Sequence, residues 1–217
     1  MRLKKINYFD TTICIIYLAS IGYFLFNKDY KNAALPTVAF IINLILRWAY
    51  SKNLLILDNS LYIVGSLFIL FCLVFGSSFR LYDSIKHYDD FLHFWSGFIT
   101  VKIGFTIIKT IEISNFNSKL LVIILLFFFA MGFASICEIV EYSLDTIFKM
   151  NTQQGGLTDT MNDMIDALFG SIIMIVYYIK KYKHIITLYS LYITIIYIGY
   201  FILINLYFNL LSLSSRR

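Results

Sequence analysis

Long apolar runs with few charged residues limit the folds open to this chain. Seven runs have roughly the 17 to 25 residues needed to cross about 30 Å of hydrocarbon. They lie at approximately residues 7–26, 33–50, 60–77, 91–109, 119–139, 161–180 and 185–211. Because backbone polar groups must be paired within the chain inside lipid, such runs predict spanning helices. We expect an all-α fold, a polytopic transmembrane helical bundle of about 6–7 spanning helices, as a single transmembrane helical domain over residues 1–217.

The composition agrees with a membrane location. The chain is 59% hydrophobic and 14% charged, with a mean hydropathy of +0.76, and a soluble domain could not bury that much apolar surface. Eighteen Lys and Arg exceed thirteen Asp and Glu. The excess is spread between apolar runs without an aromatic-interleaved basic patch, so we expect a lipid bilayer as partner and no nucleic acid. The three cysteines lie inside apolar runs without a C-x-x-C spacing, which is typical of packing residues.

The distribution of basic residues predicts an orientation. Alternating the seven spans places ten Lys and Arg on the side of the N-terminus and seven on the other side. Because Lys and Arg are retained preferentially on the cytoplasmic side, we expect a cytoplasmic N-terminus. No small-residue cleavage site follows the first apolar run, so we interpret that run as an uncleaved span.

Acidic residues are concentrated at one membrane face. The fourth span begins, the fifth ends and the sixth begins at that face, and these three stretches hold eight of the thirteen acids and one histidine. Within each stretch the residues are three or four apart, an interval that places side chains on one face of a helix. The three groups are Asp89 and Asp90 with His93; Glu138, Glu141 and Asp145; and Asp159, Asp163 and Asp166.

Asp166 is the acid whose predicted position is the most costly. It follows Thr160 by six residues, which places it roughly 9 Å inside the sixth helix. An unpaired carboxylate is expensive at that depth. A bound cation would offset both this cost and the repulsion among neighbouring acids.

Several of these residues also have a purely structural interpretation, whereas Asp166 and Glu138 are the hardest to explain in that way. Asp163 could close a capping box with Thr160, and Asp159 could favour the positive end of the helix dipole. Glu141 and Asp145 could be solvated beyond the membrane. His93 could hydrogen-bond a neighbour at the interface. The convergence of three groups at one face is what favours a functional pocket.

The ordered motifs resemble those of one family. The segments YDDFLHFWSG at residues 88–97, EIVEY at 138–142 and QGGLTDTMNDMIDALFG at 154–170 resemble the YjdF-like family of predicted bacterial inner-membrane proteins. The resemblance covers roughly residues 88–170. It implies a multi-pass protein of the inner (cytoplasmic) membrane and nominates the polar positions, without implying a substrate. Two acids precede His93, and either Asp89 or Asp90 could occupy the family position.

Carboxylates with one imidazole form a ligand set that suits Mg²⁺, Mn²⁺, Fe²⁺ or Zn²⁺. The D-x-x-H spacing at residues 90–93 and the E-x-x-E spacing at 138–141 resemble the carboxylate motifs of two-metal helical bundles. We therefore predict a divalent metal site with a general base beside it, hydrolysing an ester or phosphoester of a lipid or other small, membrane-embedded molecule. The predicted ligands are His93, Glu138, Asp163, Asp166 and Asp90, and the predicted base is Glu141 or Asp159.

Two other functions use the same residues. In a cation or proton transporter they would begin a polar path through the membrane. Lys102 and Thr106 could continue that path, but the fifth span is almost wholly apolar over residues 120–129, and we expect Lys102 to snorkel or to pair with an acid. In a non-catalytic membrane subunit, the acidic face would bind a cationic partner.

Overall fold

A computed structural model of the protein describes residues 8–53, 57–110, 119–149, 152–153 and 156–181, and its secondary structure there is helical. Six helices, counting the third with its π-helical continuation, are long and apolar enough to cross a membrane, which confirms the predicted polytopic bundle. The predicted seventh span, residues 185–211, lies outside the described residues. The elements are α1 (Tyr8–Phe26), α2 (Tyr30–Ser51), α3 (Asn59–Ile69) continued by a π-helix (Leu70–Ser78), α4 (Leu81–Ser84), α5 (Tyr88–Thr110), α6 (Lys119–Phe148) and α7 (Leu157–Lys181).

Three helices extend past their apolar runs at the acidic face. Helix α5 begins at Tyr88 rather than at residue 91, α6 continues to Phe148 rather than ending at residue 139, and α7 begins at Leu157 rather than at residue 161. Hydropathy marks only the part of a helix that lies in hydrocarbon, whereas backbone hydrogen bonding continues into the interface. The early start of α7 places Thr160 inside the helix, so Thr160 is not the N-cap of a capping box.

The helices form two groups that meet along α3 and α5. In the first group, α1, α2 and the third span enclose the buried side chains Ile13, Tyr17, Ala39, Leu70 and Val74. In the second group, α5, α6 and α7 enclose Val101, Ile123, Leu126, Ala130 and Ile175. The second group brings the three acidic stretches together.

Two glycines allow α5 and α7 to cross in backbone contact. A Cβ atom at Gly97 would overlap the carbonyl oxygen of Ala167, and one at Gly170 would overlap the carbonyl oxygen of Phe94. The hydroxyl of Ser171 donates to the Ala167 carbonyl at 2.7 Å. Small residues at such a crossing let helices associate closely within a bilayer.

A buried ion pair explains how the second span carries an arginine. Arg47 donates from Nε to Oδ2 of Asp10 on α1 at 2.9 Å, and the hydroxyl of Tyr62 on α3 donates to the other Asp10 oxygen at 2.7 Å. Asp10 is only 6% exposed. Because the two charges are paired, the span avoids an uncompensated charge in lipid.

The sequence did not predict that the third span continues as a π-helix over Leu70–Ser78. The hydroxyls of Ser77 and Ser78 donate to carbonyls five residues earlier, each at 3.1 Å. The hydroxyl of Tyr88 donates to the carbonyl oxygen of Phe71 at 2.9 Å. This last bond attaches the first turn of α5, which contains Asp89 and Asp90, to the third span.

The crossing of α5 and α7 predicts that replacing glycine by alanine changes the stability differently at different glycines. Gly97→Ala and Gly170→Ala should each lower the stability by about 1–3 kcal/mol, because the added methyl group meets backbone that cannot move aside. Gly132→Ala on α6, where a Cβ meets nothing within 4 Å, should be neutral or gain up to about 1 kcal/mol from helix propensity. Thermal unfolding in detergent measures all three. Equal effects of the three substitutions would contradict the close crossing.

Candidate metal centre

The side chain of His93 on α5 lies at the centre of a cluster built from three helices. Asp89 is one turn earlier on α5, Glu138 and Glu141 come from α6, and Asp163 comes from α7. An oxygen of each acid lies within 4.0 Å of the imidazole ring nitrogens. Each helix thus presents part of its sequence group on the face that meets the other two helices, as helical periodicity predicts.

The two ring nitrogens of His93 have different neighbours. Nε2 lies 3.5 Å from Asp89 Oδ1, 3.8 Å from Glu141 Oε1 and 4.0 Å from Asp163 Oδ2. Nδ1 lies 3.8 Å from Glu138 Oε1. Three carboxylates thus surround the Nε2 side, and a single carboxylate faces Nδ1. A histidine that ligates a metal commonly has this arrangement, with the second nitrogen held by a carboxylate outside the ligand set.

The deepest acid of the cluster has a carboxyl oxygen without a hydrogen-bond partner. Asp163 is 1% exposed and Glu138 is 5% exposed. Among the described residues, Oδ2 of Asp163 is buried and accepts no hydrogen bond, whereas the carboxylate of Glu138 has the side chains of Thr160 and Gln153 as polar neighbours. Buried polar groups in proteins are nearly always paired, so such an oxygen requires an explanation. An ion beside it would supply the missing partner.

The spacing of the candidate ligand atoms suits one ion. Two sets, Asp89 with His93 and Asp163, and His93 with Glu138 and Glu141, each have ligand atoms within 4.8 Å of one another. Ligands bound at 2.0–2.2 Å in tetrahedral geometry lie about 3.4 Å apart. The Nε2 distances of 3.5–4.0 Å are close to that value, so only small side-chain movements would complete a coordination shell.

Two predicted ligands, Asp90 and Asp166, do not reach His93. Asp90 forms a hydrogen bond with the ring of His87, and the charged neighbours of the half-buried Asp166 are Asp90 and His87. Asp90 follows Asp89 by one residue and therefore points about 100° away from it around the helix. The residue that α7 buries deepest at the site is Asp163 rather than Asp166. Asp89 is the acid that accompanies His93, and the presence of His87 beside Asp90 was not anticipated.

The two remaining acids occupy the edge of the cluster. Asp159 is a charged neighbour of both Asp89 and His93, and its buried Oδ2 has no hydrogen-bond partner among the described residues. Asp145 instead holds the segment between α6 and α7. It accepts from the hydroxyl of Thr152 at 2.6 Å and from the backbone amide of Gln153 at 2.9 Å. Asp145 thus has a structural role.

The cluster is confined to one side of the membrane region. Beyond it, the described parts of α5, α6 and α7 meet through the buried apolar residues Val101, Ile123 and Leu126. Lys102 reaches the third span, where its Nζ lies 2.6 Å from Ser60 Oγ and 3.3 Å from Asp58 Oδ2. This confirms the expectation that Lys102 pairs with an acid. It does not continue the acidic cluster across the bundle.

A known family matches most of the chain. The family described as "Predicted membrane protein (DUF2238)" matches residues 9–184. The match includes all three acidic motifs and extends beyond residues 88–170, on which the sequence resemblance was based. No curated protein and no solved structure matches the chain.

Neutralising an acid should have opposite effects on stability inside the cluster and at its edge. In the presence of a chelator, the Asp163→Asn variant should be as stable as the wild type or more stable. The substitution removes a carboxylate that has acidic neighbours and an unpaired oxygen. Asp145→Asn should lower the free energy of unfolding by about 1.5–3 kcal/mol, because the Asp145 carboxylate accepts several hydrogen bonds. Thermal unfolding of both variants measures the difference. A loss of stability in Asp163→Asn as large as that in Asp145→Asn would contradict a cluster that is unfavourable without a cation.

Proposed function

The chain belongs to the DUF2238 family of predicted membrane proteins, and on that premise we propose that it is a divalent-metal-dependent hydrolase of the bacterial inner (cytoplasmic) membrane. Its substrate is an ester or phosphoester whose apolar part lies in the bilayer. The observation that carries the proposal is the convergence of His93 with carboxylates from α5, α6 and α7, one of them, Asp163, with a buried oxygen that accepts no hydrogen bond among the described residues. Fold alone would not support a reaction.

The distances around His93 support a division of the cluster into proposed ligands and supporting residues. Nε2 of His93, with Asp89 and Asp163, forms one of the two sets of closely spaced ligand atoms. Three protein ligands leave coordination positions free, as in catalytic rather than structural metal sites. Glu138, which faces Nδ1, would hold the imidazole in the tautomer that exposes Nε2 to the ion. This assignment differs from the sequence prediction, in which Glu138 was a ligand.

Glu141 is positioned to act as the general base. Its Oε1 lies 3.8 Å from His93 Nε2, next to the proposed ion rather than behind the imidazole. The chemistry that a divalent ion supplies at this position is activation of a water molecule. Glu141 would accept a proton as the water oxygen bonds to the acyl carbon or phosphorus of the substrate. The same proton would pass to the departing alcohol oxygen as the ester bond breaks, which restores the Glu141 carboxylate.

Exposure around the cluster indicates how a substrate would reach it. The side chains of Asp89 and Glu141 are 32% and 23% exposed, whereas that of Asp163 is 1% exposed. On the outer surfaces of the same helices, Phe91 and Tyr142 are exposed large apolar residues, which suit contact with lipid. A polar headgroup could therefore approach from the Asp89 and Glu141 side while its apolar part remains in the bilayer.

Transport is the weaker alternative because the cluster has no polar continuation within the part of the chain that the structure describes. The apolar core formed by Val101, Ile123 and Leu126 separates it from the opposite face, and the hydroxyl of Thr106 donates to the Lys102 carbonyl within α5. A conduit needs polar groups or water at each level of the membrane. The one-sided cluster favours chemistry at a membrane surface.

Metal content tests the ligand assignment. Purified protein loaded with Mn²⁺ or Zn²⁺ should hold one ion per chain, and His93→Ala, Asp89→Asn or Asp163→Asn should lose it. Glu138→Gln should weaken the affinity by about 10–100-fold, as expected for a residue that orients a ligand. Asp83→Asn is the matched control, because Asp83 lies on the same face and its carboxylate pairs with Arg80. If Asp90→Asn and Asp166→Asn retain the ion, the ligands proposed from the distances are supported over those expected from the sequence. If His93→Ala binds the ion as tightly as the wild type, the proposed site is wrong.

The hydrolytic step has a separate test. Glu141→Gln should retain the ion and lose about 10²–10⁴-fold in the rate of ester hydrolysis, because it removes the base and leaves the ligands. The assay follows release of fatty acid and of phosphate from lipid esters and phosphoesters in mixed micelles, with Asp83→Asn as control. A wild-type protein that binds the ion and releases neither product would contradict the hydrolase and leave the metal site intact.

A further inference from the structure

An apolar groove lies between α3 and α5 in the half of the bundle away from the His93 cluster. Its volume is about 380 Å³ and only apolar residues line it, with α2 forming a third wall. The stretch of α5 from Ile99 to Ile107 is about 12 Å long. The groove thus extends from the middle of the membrane region towards the face that carries the start of α3. The residues used below are Leu46, Gly65, Phe68, Ile99 and Ile107.

The two helices touch near the middle of the bundle and near that face. Towards the middle, Phe68 packs edge-on against Trp95 with ring centroids 5.6 Å apart. Towards the face, Lys102 binds Ser60 and Asp58. Between these contacts, Gly65 leaves space in the groove because it has no side chain. A Cβ atom there would meet only Leu46, at an ordinary 3.6 Å. An apolar space of this size is unfavourable when empty because its lining atoms lose their van der Waals contacts.

The face at which the groove ends is strongly cationic. Among the residues whose side chains the structure describes, that end of the bundle holds six Lys and Arg and only two Asp. The opposite end, which carries the His93 cluster, holds five Lys and Arg and ten Asp and Glu among the described residues. Anionic lipid headgroups bind preferentially to cationic protein surfaces at a bilayer. The cations at that end of the bundle are Arg47, Lys52, Lys102, Lys109, Lys180 and Lys181.

We propose that the groove binds one acyl chain of an anionic bilayer phospholipid, whose phosphate lies at the cationic face near Lys102. The apolar walls recognise the chain, and the excess of cations recognises the headgroup. The bound lipid fills the space between α3 and α5 and so stabilises the contact between the two helix groups. This binding is independent of the His93 cluster and of the proposed reaction.

Tryptophan quenching by brominated lipid tests the proposal in the full chain. The protein has two tryptophans, and Trp48→Phe leaves Trp95, which contacts the groove residue Phe68. In this background, phosphatidylglycerol brominated on its acyl chains is titrated into bilayers of unlabelled phosphatidylcholine. Brominated phosphatidylcholine is titrated in parallel. We expect half-maximal quenching of Trp95 at about a fivefold lower mole fraction of phosphatidylglycerol, as one favourable cationic contact would give.

Substitutions at three positions identify the groove as the origin of the quenching. Gly65→Phe, or Gly65→Leu as a smaller plug if the first variant does not fold, should abolish the phosphatidylglycerol preference. Gly132→Phe is the matched control, because Gly132 on α6 faces open space, and it should retain the preference. Lys102→Gln should reduce the preference about fivefold. Equal quenching by the two lipids in the wild-type background, or a preference that survives both Gly65 plugs, would overturn the proposal.

Discussion

The close crossing of α5 and α7 is the contact on which the candidate site depends. Gly97 and Gly170 have no side chains, and each helix rests against a backbone carbonyl of the other. The crossing lies one turn from His93 on α5 and two turns from Asp163 on α7. A larger separation of the helices would move the carboxyl oxygen of Asp163 away from Nε2 of His93. Helix packing, rather than any loop, therefore sets the geometry of the cluster.

Burying acidic side chains within a membrane protein is energetically costly, so the partners of each buried acid indicate its role. Two of the acids in the cluster, Glu138 and Asp163, are nearly inaccessible, and Oδ2 of Asp163 has no hydrogen-bond partner among the described residues. Asp10, a buried acid in the first helix group, has both an arginine and a tyrosine as partners. The same bundle thus contains one polar site that is paired internally and one that is not. Only the unpaired site needs a further molecule to offset its cost, and a cation is the partner that carboxylates and an imidazole would recognise together.

Much of this structure could be predicted from sequence because lipid imposes simple rules. Length and hydropathy identified the six described spans, and helical spacing identified the acidic faces of α5, α6 and α7. Spacing did not give the rotation of each helix about its own axis, which depends on packing. The predicted ligands therefore included Asp90 and Asp166 beside Asp163, while the crossing at Gly97 and Gly170 presents Asp89 and Asp163 to His93. The π-helix of the third span was missed because its residues are as apolar as those of an α-helix.

The central claim is that one cation binds His93 through Nε2 together with carboxylates from more than one helix. Pulsed electron paramagnetic resonance of the Mn²⁺-loaded protein measures it most directly, because it detects the nitrogen nuclei bound to the ion. We expect the coupling of a single imidazole nitrogen, which His93→Ala abolishes and Asp83→Asn preserves. A Mn²⁺ spectrum without nitrogen coupling, or a coupling that persists in His93→Ala, would contradict the claim.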